Sequence, residues 1–125
     1  MFVEINKELL RKTEPDLEKR WFRDVENNCD LLIWQNNENQ VVRFQFWMEE
    51  SLLEWNLNKG YKTGRIDQHT GAFRSYHAPL FRYHANFDSE ILDSVLQLLN
   101  SEGENEFDDK TFELIFDQLE QFNLR

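Results

Sequence analysis

All three histidines of this chain, His69, His77 and His84, fall within one sixteen-residue stretch, HTGAFRSYHAPLFRYH. Imidazole is a common transition-metal ligand and the side chain best matched to proton transfer near neutral pH, so their clustering raises both chemistries. Compact zinc sites draw at least two ligands from a local spacing of about two to five residues. Here the separations are eight and seven. Along one continuous strand His69 and His77 would share a face yet lie more than about 20 Å apart, at ~3.3 Å per residue. They converge only if the chain folds back after His69 and at Pro79. No metal site and no cofactor is therefore expected. Asp67 and His69, two apart, could tune an imidazole for proton transfer, which leaves acid–base chemistry open.

The same region carries a second kind of chemistry. Lys59, Lys62, Arg65, Arg74 and Arg82 stand against Asp67 alone between residues 59 and 84, a balance of +4 inside a chain of net charge −10. The remainder must carry −14. Tyr61, Phe73, Tyr76, Phe81 and Tyr83 alternate with these cations, so guanidinium forks and ring faces are presented together. Arg65, Arg74, His77, Arg82 and His84 form the candidate anion-binding set. The plainer expectation is that these cations neutralise the protein's own carboxylates.

Other motifs fail on geometry. GYKTGR has two glycines and a Lys-Thr pair, but a phosphate loop needs Gly-Lys-Ser/Thr at the start of a helix, whereas this Lys-Thr lies between glycines in a strand pattern. Gly64 reads instead as a bulge or a point of close contact. No GxSxG elbow, HExxH helix, DxDxDG loop or paired cysteine occurs, so an enzyme is less expected than a binding protein.

Charge and composition narrow the partners. A net charge of −10 repels nucleic acid and anionic membranes, whose binding is driven by Lys and Arg, and favours basic partners. No apolar run approaches the roughly 18 residues of a membrane span, and the opening MFVEINKELL lacks the basic and then apolar pattern of a signal peptide. With a single cysteine, Cys29, suited to packing as a small apolar residue, the expectation is a cytoplasmic protein. The 125 residues form one domain, 1–125, too short for two ordinary cores.

The elements that must position these groups follow from hydrophobic spacing. Phe2, Ile5, Leu9 and Leu10 predict an amphipathic helix over residues 3 to 13, ended by Pro15. DLEKRWFRDV fits either a helix or a strand, with a strand preferred. From Cys29 the period becomes two. CDLLIWQ and VVRFQFWM make a hairpin around NNENQ, LLEWNLN turns at NKG into YKTGRID, and AFRSYH follows the turn QHTG. Together they predict an antiparallel meander of about five strands. Asp88 caps a helix whose stripe is Ile91, Leu92, Val95, Leu96 and Leu99, with Phe87 as a staple against Leu92. After the acidic linker SEGENEFDD, Asp108 and Phe107 repeat the device for a helix carrying Phe112, Ile115, Phe116, Leu119 and Phe122. The predicted fold class is α+β: an N-terminal helix, a five-stranded meander and two C-terminal helices.

Alternation then sets the two faces of the sheet. Val42, Phe44, Phe46, Met48, Leu53, Trp55 and Leu57 point to the helices. Leu32, Trp34, Val41, Trp47 and Leu52 fall on the opposite face, too many large apolar groups to leave in water. Either the N-terminal helix covers them, or a protein partner or second copy docks there, with Trp34 and Trp47 as anchors and Leu32 and Leu52 beside them. The resulting expectation is a non-enzymatic, acidic interaction module, a homodimer or chaperone-like or inhibitor-like toward a basic partner. A small anionic-ligand site on segment 59–84 is the alternative.

Overall fold

Alternation of period two carries the chain through strand after strand, each antiparallel to the one before it. The computed structural model describes residues 2–6, 16–67, 80–101 and 110–123. Its strands are β1 (Val3–Glu4), β2 (Glu18–Asp24), β3 (Cys29–Gln35), β4 (Val41–Met48), β5 (Ser51–Asn56), β6 (Gly60–Asp67) and β7 (Leu80–Tyr83), followed by helices α1 (Ser89–Ser101) and α2 (Lys110–Asn123). The seven strands form a single sheet in chain order, β1 to β7.

This corrects the expected fold class. The protein is mostly β, with seven strands rather than about five and with no N-terminal helix among the described residues. Val3 and Glu4 pair with Arg23 and Phe22, and Arg20 grips the Glu4 carboxylate with two bonds of 2.9 Å. A two-residue strand is too short to show alternation, so helical spacing was the only local signal, and a pairing some twenty residues distant overrode it. The rest of the expected helix, residues 7–13, lies outside the described residues, as do the expected strand AFRSYH and the Asp108 cap. DLEKRWFRDV is strand, as preferred. LFRY pairs with β6 as an edge strand among the described residues.

The turns carry the residues that tight reversals demand. Gly60, at φ 76°, closes the turn after β5, and Lys59 donates back to the Asn56 carbonyl. Asn28, Asn39 and Glu49 take the other left-handed positions among the described residues, at φ 49°, 63° and 52°, a conformation Asn tolerates better than most residues. The pairing of β3 with β4 slips between Trp34 and Gln35, where Gln35 meets Val41. This bulge turns Val41 onto the helix side, where it packs partly buried against the core, and not onto the opposite face as strict alternation predicts. Leu57 lies in the turn and is 50% exposed rather than inward.

Both helices lie against the face that carries Phe22, Cys29, Leu31, Ile33, Phe44, Phe46 and Leu53. Rings join the layers: Phe44 stacks on Trp55 at 5.6 Å between centroids, Tyr61 meets Phe122 of α2 at 4.2 Å, and Phe122 meets Phe87 edge-on at 5.2 Å. Burying such side chains contributes about 1.5–3 kcal/mol each, before the loss of chain entropy. Asp88 caps α1 as expected, its Oδ1 accepting from the Glu90 amide at 3.0 Å. A buried hydroxyl that sequence alone did not reveal ties this cap to the sheet. Thr63 Oγ1 accepts from the Asp88 amide and lies 2.9 Å from His84 Nδ1.

Gly64 proves to be a point of close contact. A Cβ there would sit 2.6 Å from the Arg82 carbonyl oxygen of β7. Gly64→Ala is therefore expected to push β7 outward and cost about 1–3 kcal/mol, the usual range for overpacking, read as a lower midpoint in urea denaturation. Thr63→Val keeps the shape but strands the Asp88 amide. A loss of about 1–3 kcal/mol is expected, with faster hydrogen exchange at the first turn of α1.

Candidate functional site

The opposite face of the sheet is built from three cross-strand rows: Lys19, Trp34, Arg43 and Asn56; then Trp21, Leu32, Gln45, Glu54 and Lys62; then Arg23, Asp30, Trp47, Leu52, Gly64 and Tyr83. Leu32, Trp34, Trp47 and Leu52, the expected anchors, thus share one face as alternation requires. They do not form an exposed apolar patch. Leu52 is fully buried, Leu32 and Trp34 are only 8% and 7% exposed, and Trp47 is half-buried.

Polar groups on this face are absorbed by one another. Trp47 Nε1 donates to Gln45 Oε1 at 2.9 Å, Gln45 Nε2 donates to Glu54 Oε1 at 2.6 Å, and the Tyr83 hydroxyl donates to the same oxygen at 3.0 Å. A buried carboxylate is costly unless hydrogen-bonded, and Glu54 meets that condition through neutral donors. Burial, reinforced by the neighbouring Glu54 carboxylate, pushes the Tyr83 phenol up to about 12, partly offset by the Arg43 charge.

The cations are engaged in the same way. Arg43 lies 4.0 Å and Lys19 5.5 Å from the Trp34 ring centroid, and Lys62 lies 5.1 Å from that of Tyr83. Burial, with help from Arg43, holds the Lys19 ammonium below its ordinary pKa. Arg23 binds both oxygens of Asp30, which also accepts from Trp21 Nε1. Glu54 and Asp30 leave this face net positive, yet its charges are turned onto rings and carboxylates of the protein itself.

Within the expected anion set, Arg65 and Arg82 stand directly opposite each other, with His84 opposite Thr63 on the same side. Arg65 is bound to Glu50 at 2.9 Å and His84 to Thr63. Arg74, His77 and His69 lie outside the described residues. Among the described residues no group of three or more His, Cys, Asp or Glu side chains is placed to hold a metal ion.

The outer surface of the helices is the reverse. Glu90 and Asp93 on α1, and Glu113, Asp117 and Glu120 on α2, are all exposed. Neither helix has a basic residue in its last turn. Among the described residues none of these five carboxylates has an ion-pair partner. Glu113, Asp117 and Glu120 follow at i, i+4 and i+7, one stripe of α2, where like charges cost about 0.2–0.5 kcal/mol per pair. Leu114 lies beside them, 61% exposed. The sequence reading missed this surface because it took the charge balance of segment 59–84 as the signal. The acidic composition of EILDSV and FELIFDQLEQ was the clue.

Compared with protein-family models, with curated proteins and with solved structures, the chain matches none. No helix among the described residues is long and apolar enough to cross a membrane.

In a spectrophotometric phenolate titration Tyr83 is expected to ionise near 12, above the ordinary value of 10. Glu54→Gln should bring it part of the way back toward 10, since burial, the larger cause, remains. Because the folded-state value is raised, the stability this group contributes is intact below about pH 10, the unfolded value, and declines as pH rises through 12.

Proposed function

We propose that the protein is a non-enzymatic interaction module of the cytoplasm, chaperone-like or inhibitor-like, whose acidic helical surface takes a basic protein partner. The observation that carries this reading is the unequal use of charge. Among the described residues every cation of the sheet except Arg82 is engaged within the molecule, while the carboxylates of α1 and α2 face outward without ion-pair partners. Long-range attraction from such a surface raises association rates with a basic partner and suppresses acidic ones. Leu114 supplies an apolar contact within the charged stripe. The single, buried Cys29 suits a reducing compartment.

Anchoring through Trp34 and Trp47 does not carry the proposal, because those rings lack the exposure that an anchor needs. An anionic-ligand site at Arg65, Arg82 and His84 is less favoured for a similar reason, since Glu50 and Thr63 already occupy two of the three.

The test is binding of a fluorescent lysine- and arginine-rich peptide, followed by anisotropy. Affinity is expected to fall steeply between low and physiological salt. It should weaken by at least about tenfold in the triple variant Glu113→Lys, Asp117→Lys, Glu120→Lys, with circular dichroism checking that the helices remain. Equal binding by the triple variant overturns the proposal.

A further inference from the structure

Strand β7 carries Arg82 and His84 on the side of the sheet that faces the helices, two residues apart and hence about 6–7 Å from one another along the strand at ~3.3 Å per residue. Both are exposed. Among the described residues Arg82 has no hydrogen-bond or ion-pair partner, and it stands directly across from Arg65, whose charge Glu50 takes at 2.9 Å. Like charges directly opposite weaken a ladder unless an anion joins them. Glu50 closes the larger set that would include Arg65. A smaller pair is left open.

A buried hydroxyl aims the second member of that pair. Thr63 is 1% exposed, and its Oγ1 accepts from the Asp88 amide at 2.9 Å and lies 2.9 Å from His84 Nδ1. A threonine hydroxyl has one proton to give, and among the described residues only His84 Nδ1 stands where it can be received. A ring proton on Nδ1 would leave the Thr63 proton buried without an acceptor, which is a costly state. The neutral ring therefore carries its proton on Nε2. The internal bond occupies one nitrogen and directs the other outward, where it has no partner among the described residues.

The backbone beneath both side chains is pinned from two directions. The His84 amide donates to the Thr63 carbonyl at 2.9 Å, and Tyr83, between the two residues, reaches to the other face and donates to Glu54 at 3.0 Å. Gly64 offers no Cβ, so the Arg82 carbonyl packs directly on β6. Donors fixed in this way lose little freedom when a ligand arrives.

A guanidinium presents two parallel N–H groups and the imidazole a third, a count that matches the three free oxygens of a terminal phosphate better than the two of a carboxylate. Carboxylates on the adjoining elements are committed, Glu50 to Arg65 and Asp88 to the Glu90 amide. Repulsion from the acidic helices is screened over about 8 Å at physiological salt, so the local donors decide.

We infer that Arg82 and the Nε2–H of His84 hold the terminal phosphate of a small anion, with Thr63 as the positioning residue that aims the imidazole. The site is separate from the acidic helices and does not rest on the proposed function.

The test uses the full chain at about pH 8, where a free imidazole is neutral, with inorganic phosphate and ethyl phosphate as probes and acetate as comparison at equal ionic strength. Nitrogen-15 spectra of the imidazoles are expected to show His84 protonated on Nε2. Thr63→Ser should keep that form, whereas Thr63→Val should release the ring to a mixture of both. Phosphate should shift the His84 ring and the Arg82 side-chain signals to saturation, and acetate should not. Arg82→Gln should weaken phosphate by about tenfold, the weight of one charge-assisted hydrogen bond. Lys59→Gln, an equal change of charge in the turn before β6, should leave binding unchanged. Tighter binding of ethyl phosphate assigns the site to an ester, and tighter binding of inorganic phosphate assigns it to the free ion. A native His84 proton on Nδ1, equal shifts with acetate, or equal binding by the Arg82 and Lys59 variants overturns the inference.

Discussion

Packing of two helices onto a single side of the sheet is the constraint from which the distribution of charge follows. Once Phe44, Phe46, Leu31, Ile33 and Leu53 are committed to the helices, alternation sends Arg43, Gln45, Glu54 and Lys62 to the other side. That side also holds Leu32, Trp34 and Leu52, and it too is largely buried. Charges placed there have little water to face, so they must find partners among neighbouring side chains. Rings of Trp34 and Tyr83 and the carboxylates of Asp30 and Glu54 supply them.

The helices obey the opposite logic. An amphipathic helix on a sheet buries one stripe and leaves the other in water, where charge is cheap to hold. In α1 and α2 that outer stripe is acidic, and neither helix carries a basic residue in its last turn. Residues 89–125, which include both helices, carry −8 of the net charge of −10.

How much of this was legible in the sequence depended on the range over which the signals act. The strands from Cys29 to Asp67 were readable because alternation is local, and so was the start of α1, because Asp88 forms a local cap. Gly64 was readable as a contact because an unexplained glycine in a strand marks close approach. The edge strands were not. Val3 and Glu4 are set by Arg23, Phe22 and Arg20, and no short window contains both sides of that pairing. Val41 misled for a related reason: a bulge of one residue inverts every inference from parity. At the candidate site the electrical two-sidedness was visible, but its location was not. Among the described residues, exposed carboxylates without ion-pair partners lie on α1 and α2.

The order of the strands has a kinetic side. Because β1 to β7 are neighbours in the sheet in the same sequence as in the chain, each pairing closes only a hairpin. Loop-closure entropy grows with the logarithm of loop length, so such a meander nucleates locally and has a lower contact order than a Greek key of equal size. During synthesis, β1 to β5 can zip up before the helices emerge, exposing the ring-bearing side of a nascent sheet until α1 and α2 arrive to close over it. Chain order thus leaves the covering of the ring-bearing face to the elements that follow the sheet in the sequence.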